Sequence, residues 1–496
     1  MRLFFPGNKL RERVVHAGFW SFVLHCTGIF FGFVRTLIIA RLLSPNDIGL
    51  FALAALIFAS IDTFSRTGFQ SALIHREGDI HDDLDVAWTV HVVRGFIRAG
   101  FLFLIAPAAA HFFNEAAVKS LVHIVALAMI CQGFINSGVI YLKKELEFHK
   151  HFLFALSRRL TDMVVSITAA VCLQNAWALV YGLVAGYLIQ VIVSYKVHPF
   201  RPRFCFNSLV FRRLTRYGIW MNFTGIMVFA GTYGASIVVG KVISAHALGF
   251  YQMAHWITQS ALVEVASVLG MVAFSAYAKM QQDQARMRKA YLMMAGFTFS
   301  VAFPVAVMIT LTGDVFVRIF LGDRWIEMIQ PLRLLAVAGC FHAIALSGRP
   351  VFLGIGQPRS LFLMQTVRTV TMLVIIFPFT FMGGITGAAG AMVISNMAAL
   401  LFWHSQIRAS LQLTLKDLGQ LFGPPLIAAT TMSVGVILLL FFSRQLYGRV
   451  PGAIEVLWFI GLLTACFIIY VLTLRLIQPF FPRNQPEKAF GIFFHG

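Results

Sequence analysis

Apolar and polar positions along this chain fall into long blocks. Apolar windows of about 20 residues, each cut short by charges, Gly or Pro, recur throughout, and that is the length an α-helix needs to cross the hydrocarbon of a bilayer. The pattern predicts an all-α membrane protein of about 14 transmembrane helices. The first six spans are expected at 17–40, 48–73, 86–111, 117–141, 153–173 and 176–195. Six more follow a polar linker, at 217–240, 247–273, 290–312, 331–353, 360–381 and 386–407, and two others, 421–442 and 453–474, come last.

A repeat organises these blocks. Arg41-Leu42-Leu43-Ser44-Pro45-Asn46-Asp47-Ile48-Gly49-Leu50-Phe51-Ala52-Leu53-Ala54 lies over Lys241-Val242-Ile243-Ser244-Ala245-His246-Ala247-Leu248-Gly249-Phe250-Tyr251-Gln252-Met253-Ala254. Base, Ser, aliphatic, Gly, apolar and Ala recur in register without a gap, and each copy joins two apolar runs. Self-similarity of this kind points to two alike helical lobes with a pathway between them. Six spans separate the copies. Six is even, so the lobes enter the membrane in the same sense, as a parallel repeat. The expected organisation is an N-lobe (1–196), a basic linker (197–216), a C-lobe (217–408), an unrepeated pair of spans (409–475) and a tail (476–496).

Composition agrees with a membrane solvent: 59% of residues are hydrophobic and 12% charged, against about 25% charged in soluble domains. The formal charge of +20 does not call for nucleic acid, because Lys and Arg cluster in short loops between apolar runs. With the N-terminus inside, roughly 24 of them fall on the cytoplasmic side, about 7 outside and nine within spans. Both termini are then cytoplasmic, as is the linker with Lys196, Arg201, Arg203, Arg212, Arg213 and Arg216. The six cysteines are scattered without a C-x-x-C pair, which supports neither a disulfide framework nor a zinc site. The basic start runs into a full-length span with no small-residue cleavage pattern.

The informative residues are charges at depth, each costing roughly 2.5–3.5 kcal/mol on insertion scales. Arg35, Arg66, Arg94, Arg98, Arg158, Arg159, Arg333, Arg349 and Arg368 lie within spans, with Asp62, Asp162 and Glu264 as acids. Arg158, Arg159 and Arg333, near span ends, read as snorkelling side chains. Asp62 with Arg66, and Arg158 with Asp162, have the i,i+4 spacing of local ion pairs. Arg94 and Arg98 share one face of span three with no acid beside them on that helix. With Arg35, Arg349 and Arg368 they leave positive charge in excess, as in a hydrated cavity that attracts anions. Arginine suits phosphate because its planar fork engages two oxygens and stays protonated. Glu264 is expected to pair with an arginine or to hold a coupling ion.

Other motifs carry less. His81-Asp82-Asp83-Leu84-Asp85 looks like an aspartate-rich metal site but stands where acids cap a helix start, with no second acidic cluster. Gly354-Ile355-Gly356-Gln357-Pro358 follows no strand and is not a phosphate loop. Pro304 and Arg349-Pro350 are expected to kink spans. The histidines show no paired ligand spacing, so metal is not called for.

The run from Arg35 to Leu50, together with Asp62-Thr63-Phe64-Ser65-Arg66-Thr67-Gly68-Phe69-Gln70-Ser71-Ala72-Leu73-Ile74, resembles the first two helices of Wzx-type, colanic-acid-exporter-like polysaccharide-transport flippases. These belong to the multidrug/oligosaccharidyl-lipid/polysaccharide exporter superfamily. The resemblance is specific over roughly the first 115 residues and architectural beyond them. It implies two six-helix lobes around a central cavity opening alternately to each side, plus two extra C-terminal helices. It also implies a substrate, an oligosaccharide repeat unit on an undecaprenyl diphosphate, flipped across the bacterial inner membrane for exopolysaccharide, capsule or O-antigen assembly. Lining by spans one, two, seven and eight would favour Arg35, Asp62, Arg66 and Glu264, with Arg94, Arg98, Arg349 and Arg368 as further candidates for substrate binding. Expected partners are the lipid-linked oligosaccharide, membrane lipids, and polysaccharide polymerase and export machinery. No cofactor is called for, and a proton or sodium gradient is the candidate driving force. Two alternatives stay open: a multidrug or organic-cation antiporter, which would want acids where this chain has bases, and an integral-membrane glycan polymerase or ligase, which would want a large external loop.

Overall fold

A computed structural model describes residues 10–65, 73, 81–145, 147–264, 266–267, 270, 277, 280, 283–355, 358–443 and 452–477. The regular structure among them is helical throughout. Eleven of the described helical segments are long and apolar enough to cross a membrane, and large apolar side chains such as Phe101, Leu104, Phe381 and Leu457 stand exposed on them. In water such a surface would aggregate; in lipid it is the solvated one. The chain is a multi-pass membrane protein, and it forms two compact units, Met1–Gln252 and Met253–Gly496.

The first unit contains α1 (Leu10–Leu42), α2 (Pro45–Phe64), α3 (His81–Phe113), α4 (Ala116–Gly133), α5 (Val139–Lys144), α6 (Phe148–Leu173), α7 (Trp177–Val197), α8 (Ser208–Val242) and the start of α9 (Ala245–Thr258). Helix α1 packs along α6, α6 along α7, α3 along α4, and α2 against α4 and α8. The fourth expected span is shorter than its hydropathy window. It ends at Gly133 and the chain turns before α5, because Asn136 Oδ1 accepts the Gly138 N–H at 2.9 Å and its own N–H donates to Ser194 Oγ at 3.0 Å.

Both repeat copies open a helix by the same device. Ser44 Oγ accepts the Asp47 N–H at 3.2 Å and Asp47 answers on the Ser44 N–H, a capping box. Ser244 Oγ accepts the Ala247 N–H at 3.1 Å. Five residues after each Ser, a glycine lets the turns interlock. A Cβ on Gly49 would lie 1.7 Å from the Ala245 carbonyl oxygen, and one on Gly249 would lie 1.8 Å from that of Pro45. Only glycine fits at either place.

The basic linker is strapped down. Asp85 Oδ1 accepts the Arg203 N–H at 2.7 Å, Thr89 Oγ1 accepts from Cys205 at 3.0 Å, and Asn136 Nδ2 donates to the Phe200 carbonyl at 2.7 Å. The aspartate-rich stretch thus opens α3, with Asp85 holding the linker backbone.

In the second unit α9 passes into a π-turn, Gln259–Val263, before Glu264. Then come α10 (Gln284–Phe316), α11 (Ile329–Ser347), α12 (Arg349–Ile355), α13 (Pro358–Leu411), α14 (Leu415–Ser443) and α15 (Gly452–Ile477). The tenth expected span is two helices, broken at Gly348 with Pro350 in the first turn of α12, where its missing N–H costs nothing. The eleventh and twelfth join without an intervening loop as α13, reversing at Gly384 (φ 57°, ψ −140°). A Cβ on Gly387 would lie 1.9 Å from the Phe379 carbonyl oxygen, so the two arms leave the bend in backbone contact. The unrepeated helices α14 and α15 pair and dock on α10, burying Val315, Met432, Phe459 and Tyr470, whose hydroxyl donates to the Ser300 carbonyl at 2.8 Å.

Candidate functional site

The deep charges of the first unit meet where six helices converge. Arg98 of α3 is 3% exposed and donates through Nη1 to Asp62 Oδ1 of α2 and to Gln132 Oε1 of α4, each at 2.8 Å, while Nε reaches the Arg94 carbonyl at 3.3 Å. Arg35 of α1 donates through Nη2 to Asp162 Oδ1 at 3.2 Å and to Ser166 Oγ at 3.1 Å, and Ser166 in turn donates to Asp162 at 3.2 Å. Arg35 Nε is buried with no acceptor. Between the pairs stands Tyr187 of α7, in the electrostatic reach of Asp62, Arg98, Asp162 and Arg158, with the Arg158 guanidinium 5.3 Å above its ring centroid.

The Asp162 pair differs from the one the local spacing predicts. Asp162 turns away from Arg158, one helical turn back on α6, and engages Arg35 across the α1–α6 contact. Asp62 engages Arg98 across to α3, and Arg66 lies outside the described residues. A carboxylate facing a helix interface is desolvated there, so a cation that reaches it directly across that interface stabilises it strongly. Arg158, expected to snorkel, is instead held on an aromatic face.

Gln132, Ser166 and Tyr187 went unread in the sequence. A usable signal was Gly182-Leu183-Val184-Ala185-Gly186, a small-xxx-small step of the kind that seats one membrane helix on another. A Cβ on Gly182 would lie 1.9 Å from Ser166 Oγ and 2.9 Å from Asp162 Oδ1, and one on Gly186 would lie 3.0 Å from the Arg158 carbonyl oxygen. The two glycines bring the polar face of α6 against α7 and set Tyr187 beside it.

The remaining candidates are placed separately. Arg94 is half-buried, one turn before Arg98. In the second unit Arg368 of α13 is buried, its Nε donating to Asn396 Oδ1 at 2.8 Å, and Asn396 Nδ2 donates to the Ala338 carbonyl at 3.0 Å. His255 and His342 lie in the field of Arg368. Glu264 is half-buried just past the π-turn. Arg349, expected at depth, is exposed because the break at Gly348 leaves it at the start of α12.

The polysaccharide biosynthesis protein family matches this chain over residues 38–330, more than half its length. The chain belongs to that family. The match takes in Asp62, Arg94, Arg98, Arg158, Asp162, Tyr187 and Glu264, and so covers most of the first unit's charge cluster. Among relatives of this polysaccharide biosynthesis protein is the lipopolysaccharide biosynthesis protein WzxC of Escherichia coli (strain K12), 23% identical over 349 residues that cover 69% of this chain and 70% of that protein. The succinoglycan biosynthesis transport protein ExoT of Rhizobium meliloti (strain 1021) is 23% identical over 354 residues, 71% of each. Among solved structures, the inward closed conformation of the lipid II flippase MurJ superposes with a TM-score of 0.75 at 13% identity, covering 93% of this chain and 99% of that one. At that identity the likeness shows the fold, that of the multidrug/oligosaccharidyl-lipid/polysaccharide exporters. The Wzx-type resemblance carried by the first two spans is thereby borne out.

Proposed function

We propose that this protein is a flippase, moving an oligosaccharide repeat unit on a lipid diphosphate carrier from the cytoplasmic to the outer leaflet of the bacterial inner membrane. The observation that carries this reading is the cluster of Arg35, Arg98 and Arg158 with Asp62, Asp162 and Tyr187 at membrane depth. It holds one formal positive charge in excess of its acids, in a solvent that tolerates charge only where a polar path exists. The relatives' roles in lipopolysaccharide and succinoglycan biosynthesis agree with such a substrate, and so does the lipid II flippase whose fold the chain shares. Exopolysaccharide, capsule or O-antigen assembly is the pathway that fits, with a polymerase and export machinery downstream and both termini in the cytoplasm.

The chain acts as a transporter, lowering a barrier that is physical: dragging a charged headgroup and a sugar chain through hydrocarbon. An anion entering the cluster competes with aspartates already seated on the arginines. Arg98 is closed off with three acceptors, so it tethers α2, α3 and α4. The Arg35 side chain is 19% exposed against 4% for Arg98, so it is the one of the two that an incoming phosphate reaches. Alternating access then needs only exchange of one set of oxygens for another, which keeps release easy. Glu264, Arg94, Arg349 and Arg368 are assigned to later contacts or to coupling with a proton or sodium gradient.

The test is export in cells and transfer in proteoliposomes. Arg35→Gln is expected to lower surface polysaccharide and to raise lipid-linked oligosaccharide in the inner leaflet, at normal protein level. Reconstituted protein is expected to move that lipid between leaflets, faster under the gradient that couples it. Normal export by Arg35→Gln, or cation-efflux resistance with unaltered glycan, sinks the proposal.

A further inference from the structure

Of the three arginines in the first unit's cluster, two are neutralised and one is not. Arg35 lies on Asp162 and Arg98 on Asp62. Arg158 has no carboxylate within ion-pair distance and donates to no protein acceptor among the described residues, yet none of its nitrogens is sealed from solvent. Its place is nonetheless built. The backbone beside it is in contact with Gly186, and its guanidinium lies over the Tyr187 ring, where cation and π-face attract. A guanidinium over an aromatic ring has one side covered by an apolar face that takes none of its N–H groups, so those groups stay available to a ligand. That is a fork presented to a ligand with several oxygens.

We infer that Arg158, seated on Tyr187, is the primary contact for the phosphate oxygens of a diphosphate headgroup, which it captures first, with the Arg98–Asp62 pair as a fixed wall and the Arg35–Asp162 pair beside it open to exchange. The inference rests on the flippase reading for the lipid-borne source of that diphosphate; the site itself is defined by ligand chemistry and is tested without transport. A uniformly cationic cavity would hold every arginine ready and bind the headgroup too tightly to let it go. Two pairs that answer each other and one open cation give a site of net charge +1, strong enough to capture and weak enough to release. The pairs also keep Asp62 and Asp162 from approaching Arg158, which would otherwise close the fork.

The experiment uses the full-length purified protein in detergent and an arginine-specific dicarbonyl reagent, with modification mapped by mass spectrometry. Arg158 is expected to react severalfold faster than Arg35 and Arg98, and farnesyl diphosphate is expected to protect it while farnesol does not. Stronger protection by farnesyl diphosphate than by inorganic pyrophosphate assigns the site to a lipid-borne headgroup, and equal protection by both assigns it to diphosphate whatever its source. Unchanged reactivity of Arg158 with either diphosphate, or equal protection by farnesol, overturns the inference, and because wild-type protein is used no folding defect can imitate that result. Among variants, Arg158→Gln is expected to weaken farnesyl diphosphate binding at least tenfold, Arg158→Lys less, and Tyr187→Phe hardly at all. Binding by Arg158→Lys equal to wild type refutes the fork. Should Arg158 be protected while Arg35→Gln exports normally, the site stands and the flippase reading falls.

Discussion

Replacing Asp62 by Asn should unsettle the first unit more than any exposed change nearby. Arg98 is 3% exposed and makes three contacts: Asp62, Gln132 and the Arg94 carbonyl. The amide can still accept from Nη1, so the geometry survives and the opposite charge does not. Breaking a buried pair by removing one partner costs roughly 3–5 kcal/mol. Two acceptors remain on the guanidinium, and the Asp62 side chain is 20% exposed, which brings the expected cost of Asp62→Asn to about 2–3 kcal/mol. For a unit of this size that lowers the apparent melting temperature by about 5–10 °C. The assay is thermal unfolding of purified protein in one fixed detergent, run as a cycle with Arg98→Gln and the double variant. Since Arg98→Gln takes away the charge that Asp62→Asn strands, the double variant should be more stable than the sum of the single losses by about 1–3 kcal/mol. Strict additivity, or a single Asp62→Asn variant as stable as wild type, would show that the 2.8 Å contact carries no net energy and refute the reasoning.

Gly49→Ala places a methyl 1.7 Å from the Ala245 carbonyl oxygen and should cost about 1–3 kcal/mol, whereas Gly100→Ala, with nothing within 4 Å, should be neutral or slightly stabilising; thermal unfolding in detergent separates the two. Gly182→Ala is expected to push Ser166 and Asp162 off Arg35 and to lower export as far as Arg35→Gln does, read as surface polysaccharide at matched protein level. Asp417, which begins α14, is a case for pH. Burial alone would raise its carboxyl, but the Thr414 hydroxyl and N–H and the Arg288 guanidinium outweigh it and hold it down to about 2. A carboxylate depressed in the fold adds stability that is complete above its unfolded value near 3.9 and fades as pH falls toward 2. Asp417→Asn should therefore lose about 1–2 kcal/mol at neutral pH, with screening allowed for, and converge on wild type only as pH falls to about 2 in the same unfolding assay.

Much of the architecture was legible because the membrane writes itself into hydropathy, and the repeat because a gapless register is hard to miss. What hydropathy passes over is backbone punctuation inside an apolar run. Gly348, Gly384 and the Asn136 turn are single-residue events in windows that still average as apolar, so spans ten, eleven, twelve and four came out with the wrong joints. The charges were visible and their partners were not. An i,i+4 pair can be read from a line of letters; Asp62 with Arg98 and Arg35 with Asp162 are 36 and 127 residues apart and depend on how each helix is rotated in its bundle. Gly182 and Gly186 record that rotation for α7, which is why they would have led to Tyr187.

The interlocked turns have one more consequence. Gly49 meets the backbone of the second copy at Ala245, and Gly249 meets that of the first at Pro45, so this contact is isologous within a single chain. A face built in that way is complementary to itself. One copy expressed alone already carries both halves of the lock and can close it only on another copy of the same piece, which makes a symmetric pair of half-length chains the simplest assembly with the same joint. Duplication and fusion of such a piece would have left the turns free to diverge in charge and side chain, as Asp47 and Ala247 have, while holding glycine at both positions of this turn-to-turn contact.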